Sequence, residues 1–471
     1  MVVVGDVVQF GGEPGPRSAL SVRREASDQR DSAETNRNDQ HELPRTSRDT
    51  CVTHRCPRRH VEPRGSAFLP VRRCYTKTVS IELARVRHDT PGVSHVCHFN
   101  NAGASLPTRS VLDAMTDHLW LEAHVGGYEA AAIRGDELDR FYDVAASLVN
   151  GDRNEIAFAG SATSAWDAAF CGVGLAPGDR ILVSKAEYAS NVIAMLQVAG
   201  RTGASIEVVP DDEHGQFSVA ALRELLDERV KLIAAVHVPT HGGLVNPVAE
   251  IGAVARDAGV LFLLDACQSV GQLPIDVAAI GCDVLCATGR KFLRGPRGTG
   301  FLWMSPRALG QIDPPVLDLF GATWTGDQSY EMRADARRFE TWEVGVAAKL
   351  GLVAAIDYAL DVGLHAIGER VTRLGASLRA ALGELDTVSV HDRGLQRCGI
   401  VTFTVDGADA ADVAEALRAQ QINTSVTALS SSRWDLGDRG LDAMVRASVH
   451  YFNTDQELAR LVDAVAALSG S

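Results

Sequence analysis

The sequence predicts an α/β fold: a mostly parallel seven-stranded sheet in a large part of the chain, followed by a smaller C-terminal α+β part. Three observations predict it. Seven short apolar runs, most of them bounded by Gly, Pro or Asp, read as strands. Helical patterns lie between several of them, and strand–helix alternation places a parallel sheet between helical layers. After Met304 the rhythm changes to long helical patterns and then isolated strands.

The strand signals, in order, are Glu155–Ala159, Arg180–Ser184, Ile206–Pro210, Leu232–Val238, Val260–Asp265, Asp283–Ala287 and Gly298–Met304. All are rich in Ile, Val, Leu and Phe, the residues that suit a buried pleat. The intervening helical patterns are Ser164–Gly174, Ser190–Gly200, Val219–Glu228 and Val248–Ala258. Beyond the sheet, Gly345–Val362 and Ala366–Leu385 read as helices, and Val388–His391, Gly399–Val405 and Ala443–Val449 as strands. Asp455–Leu468 reads as a closing helix.

Composition bounds the function classes. The 471 residues carry a formal charge of −14, which argues against a nucleic-acid binder. No run approaches the ~18 apolar residues of a membrane span. Nine cysteines without a CxxC pair or a secretory signal point to reduced thiols and a cytoplasmic protein. Charge is uneven: residues 1–78 hold 14 Lys+Arg against 10 Asp+Glu, with no apolar periodicity. That stretch is expected to be disordered or a mis-annotated extension, with Val79 a natural beginning. The expected domains are 79–340 for cofactor binding and 341–471 for the small C-terminal part, with 97–135 contributing to the small domain or the pocket.

Function in such sheets sits at the carboxyl ends of strands. Leu261–Asp265 delivers an acid at its tip, either as a helix cap or to pair with a cationic ligand nitrogen. Asp283–Thr288 is followed by Gly-Arg290-Lys291 and a Gly/Pro-rich loop that permits close backbone approach. The chain has 5 Lys against 41 Arg, so each lysine runs against composition. Arg290 beside Lys291 is expected to lower its pKa, as a Schiff-base lysine requires. Gly160-Ser161-Ala162-Thr163-Ser164 sits between a strand and a helix, where backbone N–H groups form an anion site. A helix N-terminus, an acid and a lysine, in that chain order, suit pyridoxal 5′-phosphate (PLP).

On these residues, above all Asp265-Ala-Cys-Gln268 and Thr288-Gly-Arg290-Lys291-Phe-Leu-Arg-Gly-Pro, the chain resembles the class V aminotransferase and cysteine desulfurase family of fold-type I PLP enzymes. The resemblance runs from about Phe99 to Leu468. It implies that Lys291 holds the cofactor covalently and moves the substrate α-proton. Asp265 would protonate the pyridine nitrogen and Gln268 would contact the phenolic oxygen. Thr163, with Ser161 and Ala162, Thr288 and Arg290, would hold the phosphate, although the family commonly has His at 290. Tyr188 falls where the family stacks a His on the ring, and Thr240 where it often has Asn. Arg446 matches the arginine that clamps the substrate carboxylate, and Asn101 and Ala102 match the segment lining the substrate side. Arg338–Glu343 matches a segment that reaches a partner's phosphate, which implies a homodimer with shared active sites.

Desulfurases of the family carry a loop cysteine shortly before the carboxylate-binding arginine. Here residues 424–445 contain none, and the last cysteine is Cys398. On that ground the expected reaction is α,β-elimination by a carbon–sulfur lyase on a cysteine S-conjugate or sulfoxide, not desulfuration. An amino-acid epimerase resembling isopenicillin N epimerase, a transaminase and a non-catalytic PLP-binding protein stay open.

Overall fold

The computed structural model describes residues 81–468. The expectation for residues 1–78 lies outside them.

Seven strands form the large sheet: β1 (Ile156–Ala159), β2 (Arg180–Ser184), β3 (Ser205–Val209), β4 (Val230–Val236), β5 (Leu261–Asp265), β6 (Val284–Thr288) and β7 (Gly300–Met304). Their order is β1-β7-β6-β5-β4-β2-β3. Only β7 runs against its neighbours. Every strand except β3 is almost wholly buried, which is why these segments read as continuous apolar runs rather than alternating ones. The expected strands all form, shifted at their ends by up to two residues.

The parallel register sets the site. Val236 pairs with Asp265, and Asp265 with Cys286, so the ends of β4, β5 and β6 stand side by side. At the other edge, Ala159 pairs with Gly300. A Cβ at Gly300 would lie 2.8 Å from the Ala162 N, so glycine lets β7 pass beneath the helix that follows β1. That helix, α1 (Ala162–Cys171), is capped by Ser161, whose hydroxyl accepts from the Ser164 N–H at 3.0 Å.

After β7 come an exposed hairpin (Ala322–Gly326 and Ser329–Met332) and two core helices, Val346–Val362 and Leu364–Gly383. A four-stranded antiparallel sheet follows: β8 (Val388–Val390), β9 (Ile400–Val405), β10 (Ser425–Ala428) and β11 (Ala443–Ser448), ordered β8-β9-β11-β10. The segment before the large sheet returns to this part: Cys97–His98 pairs with Ile422–Asn423, and Asn100 bridges to Ser448. The described residues group into one compact unit. We therefore propose the division at 340/341 on the change of sheet type alone. No single helix among the described residues is long and apolar enough to cross a membrane.

The pattern analysis missed the helices Arg109–Val125, Gly127–Ile133 and Gly135–Val149, which carry the chain from the pocket segment to β1. It also missed β10, a short polar strand whose stability comes from pairing with β11.

Candidate active site

A cavity opens where the strand ends converge. It is lined by Gly160–Thr163 from the β1–α1 turn, Tyr188 and Asn191 after β2, and Val236, Val238 and Thr240 at and after the end of β4. Asp265, Cys267 and Gln268 at the end of β5 and Thr288, Arg290 and Lys291 at the end of β6 complete it with Gly298 and Thr299. All ten residues expected to hold the cofactor are thus brought together from five separate chain segments.

Asp265 is buried, and its two oxygens are held from different sides. Oδ1 accepts from the Cys267 N–H at 2.8 Å, and Oδ2 accepts from Asn191 Nδ2 at 2.9 Å. Asp265 makes no ion pair among the described residues, so a carboxylate is aimed at the cavity with no cation of its own. Lys291 faces the same space. Its pKa is lowered, first by burial and then by the Arg290 and Arg446 guanidiniums, while Cys267 and Asp265 pull the other way. Burial, not Arg290, is thus the main cause of the shift that the sequence attributed to the neighbouring charge.

Gln268 donates from Nε2 to the Ala102 carbonyl at 3.1 Å and to the Thr240 hydroxyl at 3.2 Å. Its Oε1 is buried without a partner. Tyr188 stands at the cavity edge, half exposed. At the α1 N-terminus Thr163 is exposed, and a side chain at Gly160 would meet nothing within 4 Å. Thr288 is buried and donates to the Thr299 carbonyl at 3.4 Å. The Arg290 guanidinium donates to the Gly103 carbonyl, and the Arg290 carbonyl accepts from the Ser105 N–H at 2.9 Å. Arg290 therefore ties residues 103–105 to the β6 end.

Arg446 lies on β11 opposite Ser425 and Thr402. Its guanidinium donates to the Thr240 carbonyl (2.8 Å) and hydroxyl (3.0 Å) and to the Ser425 hydroxyl (3.1 Å). Burial pulls its pKa down to about 10, with Arg290 adding to the effect. No carboxylate pairs with it among the described residues, and a buried guanidinium with only neutral partners is suited to an anionic ligand.

Asn101 and Ala102 do not line the cavity. The Asn101 side chain donates to the Ser448 carbonyl at 2.7 Å and accepts from Ser105 at 2.7 Å, so it is consumed in holding the 97–105 segment on β11. Its neighbour Asn100 reaches towards the Arg446 guanidinium at 3.5 Å. Arg338 likewise points inward, donating to the Ile312 carbonyl at 2.7 Å.

Sequence reasoning missed three residues. Asn191 lines the cavity and Glu187 stands behind it; both lie in the Glu187-Tyr188-Ala-Ser-Asn191 motif. Cys267 lines the cavity beside Asp265. Its thiol lies near that of Cys286, which is held protonated by the contact with Cys267 and by burial. Nothing in the order of residues signals that β5 and β6 bring the two together.

The residues fit PLP. An uncompensated buried carboxylate suits a protonated ring nitrogen, the unpartnered Gln268 and the open helix N-terminus leave polar capacity for oxygens, and a lysine of lowered pKa stands between them.

Residues 97–461 match the family model for aminotransferase class-V. A probable cysteine desulfurase of Methanothermobacter thermautotrophicus is 27% identical, over 82% of this chain and 98% of the relative. The apo structure of a cysteine desulfurase from Thermococcus onnurineus NA1 superposes with a TM-score of 0.77 at 25% identity, over 83% of this chain and 98% of that one. A solved C-DES variant with glycine covalently linked to the PLP cofactor shares the fold, with a TM-score of 0.74 at 24% identity over 81% and 98% of the two chains. The cofactor is PLP.

These relatives overturn two expectations: that the reaction is elimination from a cysteine S-conjugate or sulfoxide, or epimerisation or transamination, and that desulfuration is excluded. The expectation rested on the missing loop cysteine.

Proposed function

The chain belongs to the aminotransferase class-V family, and from that premise we propose that it removes sulfur from L-cysteine. The observation that carries the reading is its likeness to cysteine desulfurases over nearly their whole length. Bound PLP supplies an electron sink for the bond electrons released at the substrate carbons. The chain's own residues do the rest. Arg446 would clamp the substrate carboxylate, and the Lys291 amine, with its lowered pKa, would carry protons to and from the substrate carbons. Asp265 would hold the proton on the ring nitrogen, and Gln268 and Tyr188 would bracket the ring.

The sulfur acceptor we infer is an external thiol. Burial pushes the Cys97 thiol up to about 12 and the Cys398 thiol up to about 11, so both are protonated and poorly nucleophilic. Cys171, Cys282 and Cys286 are raised as well, and the cavity thiol Cys267 is engaged with Cys286 beside the Asp265 carboxylate. The stretch 424–445 offers serines, which relay no sulfur. The balanced reaction is L-cysteine plus RSH to L-alanine plus RSSH: the Cβ–S bond breaks, a C–H bond forms at Cβ, and the sulfur leaves bonded to the acceptor. The reducing cytoplasm, where such thiols are abundant, is the compartment we read for it. We also read a homodimer, with the exposed residues Thr341, Trp342 and Glu343 as the face that reaches the partner.

The test is product analysis with PLP-loaded protein, L-cysteine and added dithiothreitol. Alanine accumulating in step with thiol-reducible sulfur, and absent in Lys291→Ala, is the expected result. Pyruvate in place of alanine, or alanine formation indifferent to added thiol, would refute it.

A further inference from the structure

Behind Asp265 lies a second buried acid that the mechanism does not use. Glu187 follows β2 and makes no ion pair among the described residues. Every recorded partner of its carboxylate is a neutral donor. Ser184 Oγ donates to Oε2 at 2.9 Å, and Asn191 Nδ2 and the Tyr188 N–H donate to Oε1 at 2.8 and 3.2 Å. The same Asn191 Nδ2 donates its other hydrogen to Asp265 Oδ2 at 2.9 Å. One amide NH2 thus forks between two carboxylates from positions 78 residues apart in the chain, as Glu187 and Asp265 are numbered.

This arrangement carries two consequences. With both amide hydrogens engaged, Asn191 is held more firmly than by Asp265 alone, so Glu187 helps fix the amide that fixes Asp265. Two buried carboxylates with no resident cation also concentrate negative potential at the cavity floor, a cost that only a positive ligand group relieves. The titratable groups that face the pair are Cys267 after β5, Cys286 on β6, and Lys291 after β6. Only Lys291 among them can be cationic, and its lysine charge is weakened by burial.

We propose that Glu187 is a positioning residue which, through Asn191, holds Asp265 in place and adds a second negative charge behind the protonated ring nitrogen of PLP. The proposal depends on the PLP site and is independent of the sulfur acceptor. Glu187 itself is raised to about 7 by burial and by the Asp265 charge, so its ionisation is poised to respond to a cation arriving in the cavity.

The test uses holoenzyme and two readouts that need no turnover: the PLP dissociation constant, and the pH midpoint of the bound cofactor's visible absorption. Glu187→Gln keeps the shape and the acceptor for Asn191 while removing the charge. It is expected to move the midpoint to lower pH by about one unit, a tenfold change in the protonation equilibrium. It should also weaken PLP binding by roughly tenfold, the scale of one charge-assisted hydrogen bond. Ser184→Ala, which keeps the charge, should leave the midpoint in place. An unchanged midpoint in Glu187→Gln, whatever its thermal stability, would overturn the proposal. If that variant fails to accumulate, Asn191→Ala cuts the bridge with Glu187 intact, and wild-type PLP affinity in that variant would overturn it equally.

Discussion

At Arg446 a single side chain shows how a site is specified by what is left unpaired. The guanidinium is buried on β11, its recorded partners are carbonyl and hydroxyl oxygens, and no acid answers its charge among the described residues. A substrate carboxylate would supply the missing charge. Arg446→Ala is therefore expected to raise the KM for L-cysteine by about 10- to 100-fold, with a smaller effect on kcat, because a charged hydrogen bond contributes ~1.5–3 kcal/mol. Steady-state kinetics across a cysteine series checks this; an unchanged KM would move the carboxylate clamp elsewhere. Lys291 and Asp265 were legible in the sequence, the first because lysine is rare in this chain and the second because an apolar strand ends on it. The role of Asn101 was not legible. Its neighbour Asn100 has the same chemistry, and only the pairing of this segment with Ser448 decides which of the two faces Arg446. Glu187 was hidden for the same reason: its meaning depends on Asp265, which β2 and β5 bring near across β4.

Among the elements, the short helix Arg433–Asp438 occupies the stretch in which the family's desulfurases carry their loop cysteine. Here it is fastened down. Asp435 Oδ2 lies 2.7 Å from His241 Nε2 and 3.0 Å from Arg439 Nη1, and Asp438 pairs with Lys185 at 2.5 Å. Burial alone would raise the Asp435 pKa, but His241 and Arg439 outweigh it and hold the carboxyl below its usual range. A depressed carboxyl contributes stability that is fully present above its unfolded value of 3.8 and is lost as the pH falls through the lower folded value. The tie is thus intact at neutral pH. Asp435→Asn is expected to release the helix and raise the rate of limited proteolysis within 424–445 by about tenfold or more, while leaving the PLP absorption unchanged. An unaltered cleavage rate would show that packing of Leu436 and Trp434 holds the helix without the ion pairs. Strand and helix signals in the parallel sheet were legible because burial on both faces makes them uniformly apolar. The hairpin Ala322–Gly326/Ser329–Met332 was not, because it is exposed and polar and its strands are defined by each other.

For the whole molecule, the surface presents several large aromatic side chains to water. Trp324 on the hairpin is 79% exposed and Tyr330 opposite it 66% exposed, while Trp120 and Tyr128 stand 67% and 78% exposed on successive helices. Trp324 and Tyr330 are cross-strand partners, so they form one continuous apolar surface. In the proposed homodimer these aromatic side chains would be covered by the second copy. The open end of the cavity, at Gly160 and the exposed Thr163, is where a neighbouring subunit would complete the phosphate site. Light scattering of the PLP-loaded protein is expected to give twice the chain mass of 50.3 kDa. A buried interface tryptophan typically contributes ~2 kcal/mol or more, so Trp324→Asp should raise the dimer dissociation constant by at least about 30-fold. If PLP affinity falls with the dimer, the partner supplies part of the cofactor site. If the wild-type chain binds PLP fully at the monomer mass, the homodimer reading is wrong, and residues 81–468 hold the cofactor alone.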